Sequence, residues 1–144
     1  MAIDIDQRNV IGKWDTGCGG SHGIPVVDER RGFVFAGCSS KGGGAVLDSD
    51  DGTLLAGHEV GSGDALLAYS EALGHFYLRG DPGNFVDILG VCDDGALELL
   101  DRVKITHSGH GITADERGNV WVCDAENGGL LHFHDSFPAS FVSP

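Results

Sequence analysis

Basic residues are scarce in this chain, nine lysines and arginines against 22 aspartates and glutamates in 144 residues, for a formal charge of −13. Such an excess of negative charge repels phosphate backbones and anionic lipid headgroups, which excludes nucleic acid and membrane surfaces as natural partners. Long apolar runs are missing as well. No segment approaches the ~20 apolar residues needed to span a bilayer, and MAIDIDQRN lacks the basic start and apolar stretch of an export signal, so a cytoplasmic protein is expected. No phosphate-binding glycine loop or H-E-x-x-H occurs, which leaves dinucleotide chemistry without a foothold. The four cysteines have no CxxC spacing, arguing against a zinc ribbon or redox motif, and with no export signal they read as reduced thiols. Helix signals are nearly absent; Ser70 to Gly74 holds at most one turn.

What the chain does have is glycine, 24 residues in turn-like clusters. HGITADERGNVWVC, His110 to Cys123, reads as a strand, a polar reversal closed by Gly118 and a second alternating strand, a β-hairpin pattern. The pattern is written twice more, in HGIPVVDERRGFVFAGC from His22 and in DALLAYSEALGHFYLRG from Asp64, so Gly32, Gly74 and Gly118 recur at intervals of 42 and 44. The acidic turns Asp6, Asp50, Asp93 and Asp135 repeat at 44, 43 and 42. A period of this size marks a repeat architecture.

Each full repeat divides into four strands, a to d. In the first these are Ile24 to Asp28, Gly32 to Gly37, Ala45 to Asp48 and Thr53 to Val60; the second runs from Ala65–Tyr69 to Leu97–Ile105. The third has a, b and c, ending at Leu130 to His134, with ASFVSP a candidate fourth strand. Residues 1 to 15 read as the c–d tail of an earlier repeat. Four-stranded units of ~40 to 45 residues have the size of β-propeller blades. The expected fold is all-β, a single β-propeller domain of about three blades, half of a six-bladed ring: 1–15 a partial blade, 22–60 and 64–105 full blades, 109–134 a partial blade.

The repeat HGITADERGNVWVCDAENGGLLHF and its partners resemble YVTN- and NHL-type propeller repeats, which also build virginiamycin B lyase, the gluconolactonase and regucalcin group and peptidyl-amidating lyase. The shared elements are an apolar inner strand after a glycine, an Asp-rich a–b turn closed by glycine, an aromatic in strand b (Phe35, Tyr77, Trp121) and an Asp-Gly hairpin between c and d. Those aromatics read as packing between blades. The resemblance implies that strand a lines a central channel and that d–a and b–c connections share its functional face.

Projected onto that plan, His22, Asp64 and His110 stand near the starts of successive inner strands. Two imidazoles and a carboxylate there either hold a divalent metal such as Zn²⁺, whose preferred ligands they supply, or simply solvate a channel. Peptidyl-amidating lyases use three channel histidines; this chain has Asp64 in the second place. Cys18 and His107, in the preceding loops, are secondary ligands, a Cys/His pair, or ordinary loop residues. The b–c loops at Ser39 to Gly44, Gly80 to Asn84 and Asp124 to Gly128 carry Lys41, Arg79, Asn84, Glu126 and Asn127, candidates for ligand contact. His132 and His134 share one face of strand c and read as surface or blade-interface residues. Two functional classes follow: a non-enzymatic propeller that binds a small ligand or partner over its channel face, and a metal-dependent lyase or lactonase built on the His/Asp set.

Three blades cannot close a ring, since closed propellers have at least four. The expected partner is a second copy: a homodimer closing a six-bladed ring, with Val10 to Trp14 of one chain pairing with Leu130 to His134 of the other.

Overall fold

The computed structural model describes residues 1–39, 43–61, 63–81, 83–106 and 109–140, and within them every regular element is a strand. In chain order these are β1 (Ala2–Asp4), β2 (Asn9–Gly12), β3 (Ser21–Asp28), β4 (Phe33–Cys38), β5 (Gly43–Asp48), β6 (Leu54–Glu59), β7 (Asp64–Ser70), β8 (His75–Asp81), β9 (Phe85–Val91), β10 (Leu97–Lys104), β11 (Ile112–Ala114), β12 (Asn119–Asp124) and β13 (Gly129–His134). They form four antiparallel sheets: a β1-β2 hairpin, the first blade β3-β4-β5-β6, the second β7-β8-β9-β10 and the third β11-β12-β13. The expected all-β fold with four-stranded antiparallel sheets is thus present, and no described residue is helical.

Local chemistry accounts for the turns. Gly32, Gly74 and Gly118 close the a–b reversals with φ of 71°, 65° and 82°, a left-handed conformation that glycine adopts without a Cβ penalty. At Gly118 a Cβ would also lie 2.5 Å from the Asp135 carbonyl oxygen, so both backbone conformation and space demand glycine. Aspartates shape the c–d turns: Asp4 Oδ1 accepts from the Asp6 and Gln7 amides, Asp48 Oδ1 from Asp50, and Asp135 Oδ1 from Phe137. These are Asx turns, in which the side chain takes the place of a backbone acceptor.

Between blades the core is apolar. Phe33, Phe35 and Val46 of the first blade pack with Ala65, Phe76, Leu78, Leu89 and Val91 of the second. Ala68, Tyr77, Val86 and Ile88 of the second pack with Val120 and Val122 of the third. Burying side chains of this size contributes about 1.5–3 kcal/mol each, which makes these junctions the main source of stability.

Buried carboxylates stitch the same junctions. Asp28, fully buried, accepts from Arg31 Nε at 2.8 Å and from the Tyr69 hydroxyl of the next blade at 2.6 Å. Arg31 Nη1 also donates to the Val91 carbonyl of that blade at 2.9 Å. Glu116 of the third blade accepts from Ser70 Oγ and the Ala72 amide of the second. Asp135 Oδ2 takes the Tyr77 hydroxyl at 2.7 Å and lies 2.7 Å from His75 Nδ1. On the outer strands, Asp87 binds Arg102 through two charge-assisted hydrogen bonds and His58 of the first blade at 2.8 Å. Asp28, Asp87 and Asp135 thereby each have hydrogen-bonding partners for their buried carboxylates.

Three expectations need correction. Cys18 and Cys38 form a disulfide, so only Cys92 and Cys123 are free thiols. The register puts Ser21 opposite Cys38 and the Ser39 amide bonds the Gly20 carbonyl, which brings the loop bearing Cys18 over the end of β4. No fourth strand follows β13 among the described residues: the chain leaves it at Asp135 and crosses to the second blade, where the Pro138 carbonyl lies 3.1 Å from His75 Nε2 and the Ser140 amide donates to Leu73. Residues 141–144 lie outside the described residues. Finally, β2 is shorter than the expected strand from Val10 to Trp14, because Trp14 packs on its own first blade against Ala36, Ala45 and Leu47.

Candidate functional site at the loop rim

The strand order gives the arc two rims, one made of a–b and c–d turns and one of d–a and b–c loops. On the loop rim, β3 and β7 start side by side. Gly37, opposite His22 in the register, lies so close to both strands that a Cβ would sit 2.7 Å from the His22 and Ala65 carbonyl oxygens. This tight approach, with a register irregularity between His22 and Val26, brings His22 Nδ1 to 3.7 Å from Asp64 Oδ2. Both side chains remain open to solvent, at 40% and 43% exposure.

His110 stands apart from the pair. The third blade's inner strand begins only at Ile112, so His110 precedes it in an exposed bend. Among the described residues no three His, Cys, Asp or Glu side chains come close enough to share a metal ion. His107 and Lys41 lie outside the described residues. Cys18, held in the disulfide, has no thiolate to offer a metal or an acyl group.

The other rim candidates do structural work. Arg79 is fully buried, and its guanidinium donates to the Gly109 carbonyl, fixing the loop just before His110. Asn84 is half-buried and its carbonyl accepts from the Ile105 amide at 2.8 Å. Asn127 turns back to Asp124, donating from Nδ2 at 2.9 Å and from its amide at 3.2 Å. That bond is the largest influence on Asp124 and holds its carboxyl below the ordinary range. His132 stacks on Trp121 within the third blade, ring centroids 5.3 Å apart.

Several groups with displaced pKa values lie at the blade junctions. Burial alone would raise Asp28, yet hydrogen bonds from Tyr69 and Arg31 outweigh it and hold the carboxyl low. Burial alone would likewise raise Asp87, and hydrogen bonds from Arg102 and His58 outweigh it and hold the carboxyl low. Burial pushes the Tyr69 and Tyr77 phenols up, reinforced by hydrogen bonds to Asp28 and Asp135 respectively. These shifts report interblade stitching. Sequence reading missed the stitching because its partners lie 41 to 60 residues apart; the recurrence of tyrosine and histidine on strands facing an acidic turn was the available signal.

No family model matches the chain, and no curated protein sequence does. Among solved structures it is similar to the β-propeller domain of Cps50 (Swd1) from Myceliophteria thermophila, with a TM-score of 0.60 and 12% identity over 80% of this chain. The fold is a β-propeller. The chain spans 39% of that propeller's length.

Proposed function

We propose that the chain is a binding module of the propeller type, which takes a cationic small ligand or partner over the loop rim. The observation that carries this reading is the His22–Asp64 pair, half-exposed at the mouth of adjacent inner strands, whereas Asp28 and Asp135 at the opposite ends of the strands are taken up in hydrogen bonds between blades. A formal charge of −13 favours a cation and speeds its encounter. Within propellers, our reading is that the repeat is of the YVTN- and NHL-type it resembles, supported by the a–b turns closed by glycine and the strand-b aromatics.

Chemical-shift mapping with tetralysine, and tetraglutamate as the opposite-charge control, tests the reading. Tetralysine is expected to shift resonances around residues 20–23, 63–65, 84 and 109–111, and His22→Ala with Asp64→Ala to abolish the effect. Shifts centred on the a–b turns at Arg31 and Gly118 would overturn it.

A second reading, a divalent metal held by His22, Asp64 and His110, draws support from the proximity of the first two. It requires His110 to swing in from its bend. Zn²⁺ titration would then be lost in His22→Ala and His110→Ala and kept in His132→Ala, weakening as pH falls through the imidazole range near ~6.5. Retention in His110→Ala would end it.

A further inference from the structure

Strand b carries an aromatic at the same place in each blade, and two of the three are covered. Phe35 is fully buried by the second blade, with Tyr69 stacked 4.3 Å away and Phe76 at 5.0 Å. Tyr77 is fully buried against the third blade. No blade follows Trp121 among the described residues. Trp121 lines an open concavity with Gly111, Ile112, Thr113, Cys123 and Leu130.

The repeat shows what belongs over it. Tyr69 and Phe76, which cover Phe35, are register partners on β7 and β8; Val27 and Val34 are the corresponding partners on β3 and β4. Leu47 pairs with Val34 as Leu89 pairs with Phe76. The first blade therefore presents the same kind of face that covers Phe35, with smaller residues in place of two aromatics. Val27 is 50% exposed there, and with Val34 and with Trp14, which covers Ala36 and Leu47, it lines a concavity of about 300 Å³. A bulkier aromatic at one end meets a hollower face at the other.

Exposed apolar residues mark the same two ends. Of the ten large hydrophobic residues exposed among those described, Met1, Ile3, Ile5, Val10 and Ile11 lie in or beside the β1-β2 hairpin, Ile24 and Val27 on β3 and Leu130 on β13. The outer edge of β13 has no strand partner among the described residues. Apolar faces beside an open strand edge mark interaction surfaces.

We propose that a second copy of this chain docks its first blade on the uncovered face of the third, with Trp121 entering the concavity lined by Trp14, Val27 and Val34. A head-to-tail contact of this kind closes when two copies satisfy both ends at once. Trp121 is the anchor, a large aromatic withdrawn from water into a complementary hollow. Strand exchange narrows to β2 pairing with the partner's β13, since Trp14 stays on its own blade. The inference deepens the proposed binding role, because the channel whose mouth His22 and Asp64 line is complete only when the ring closes.

Sedimentation and tryptophan emission test it together. The chain has two tryptophans, so Trp14→Phe leaves Trp121 as the sole reporter. The expected particle has twice the 15.0 kDa chain mass at low micromolar concentration, with blue-shifted emission. Val27→Glu, a change at a half-exposed site that the monomer can tolerate, is expected to give a folded monomer whose Trp121 emission moves to the red. Trp121→Ala, in the natural background, is expected to be monomeric with unchanged far-UV circular dichroism. A well-folded wild-type monomer, an assembly larger than two, or a dimer that survives both substitutions would overturn the proposal. Tetralysine binding is read on the same samples: a dimer without binding defeats only the rim reading, and binding by a wild-type monomer defeats only this one.

Discussion

On the turn rim, Asp28, Glu116 and Asp135 each accept hydrogen bonds from a neighbouring blade, and Asp28 and Asp135 are buried; on the loop rim, His22 and Asp64 face each other across 3.7 Å with more than a third of each side chain in solvent. The same strands run between the two rims. What differs is the use of these particular groups: Asp28, Glu116 and Asp135 join blade to blade, while His22 and Asp64 stay open to solvent. The loop rim instead has the Cys18–Cys38 bridge and the Arg79 bond to Gly109, which order the loops without occupying their outer surface.

Removing a turn-rim carboxylate should break the comparison most severely. Asp135→Ala leaves Tyr77 and His75 buried without their common partner and releases the crossing segment at Pro138. The expected cost is about 3–5 kcal/mol, the usual penalty for breaking a buried pair on one side. Equilibrium urea unfolding measures it, and a cost under about 1 kcal/mol would show that the rim is not held in this way.

The disulfide comes next. It closes a separation of 20 residues, and replacing both Cys18 and Cys38 by serine is expected to destabilise by about 3 kcal/mol through the freer unfolded chain. Amide exchange should quicken around residues 13–22 while β9 and β10 keep their protection. Uniform acceleration across all blades would mean that the bridge supports the whole arc and not one loop.

Acid sharpens the contrast further. The Asp28 and Asp87 carboxyls are held below their ordinary value by hydrogen bonds that outweigh burial. A carboxyl depressed in the folded state contributes stability in full above its unfolded pKa near ~3.9, and loses it as pH falls through the lower folded value. Unfolding temperature should therefore drop below pH ~4, and Asp28→Asn should flatten part of that dependence at the cost of lower stability at neutral pH. An unchanged acid profile in Asp28→Asn would assign the sensitivity elsewhere.

The legible and illegible parts of the sequence divide along the same line. Gly32, Gly74 and Gly118 announce the a–b turns because left-handed φ leaves a mark on a single residue, and strand alternation leaves one on every second residue. The blade plan could be read from such local marks. Asp28 with Tyr69, and Asp135 with His75, depend on which strands become neighbours after 41 and 60 residues of intervening chain, and no local pattern encodes that. Cys18 and Cys38 meet for the same reason, through the register of β3 on β4. At the site, His22, Asp64 and His110 hold matched repeat positions, and the first two lie 3.7 Å apart while no three ligating side chains come together among the described residues. Repeat position misplaced Arg79, because a strand-end arginine looks like a rim group until the neighbouring loop covers it.

The smallest expected effect on stability is the one that bears most directly on the comparison. His22 Nδ1 and Asp64 Oδ2 lie 3.7 Å apart, beyond ordinary hydrogen-bond length, and both are well solvated. Exposed pairs of this kind couple by about 0.2–1 kcal/mol, because water screens the attraction and ordering two side chains offsets much of the remainder. A double-mutant cycle with His22→Ala, Asp64→Ala and the combination should therefore return a coupling energy of about 0.5 kcal/mol or less. Each single variant should unfold within a few degrees of the parent, while tetralysine binding falls in both. A coupling above about 2 kcal/mol would place the pair with the buried stitches of the opposite rim. The two rims would then differ in position but not in kind, and the reason for assigning binding to the loops would be gone.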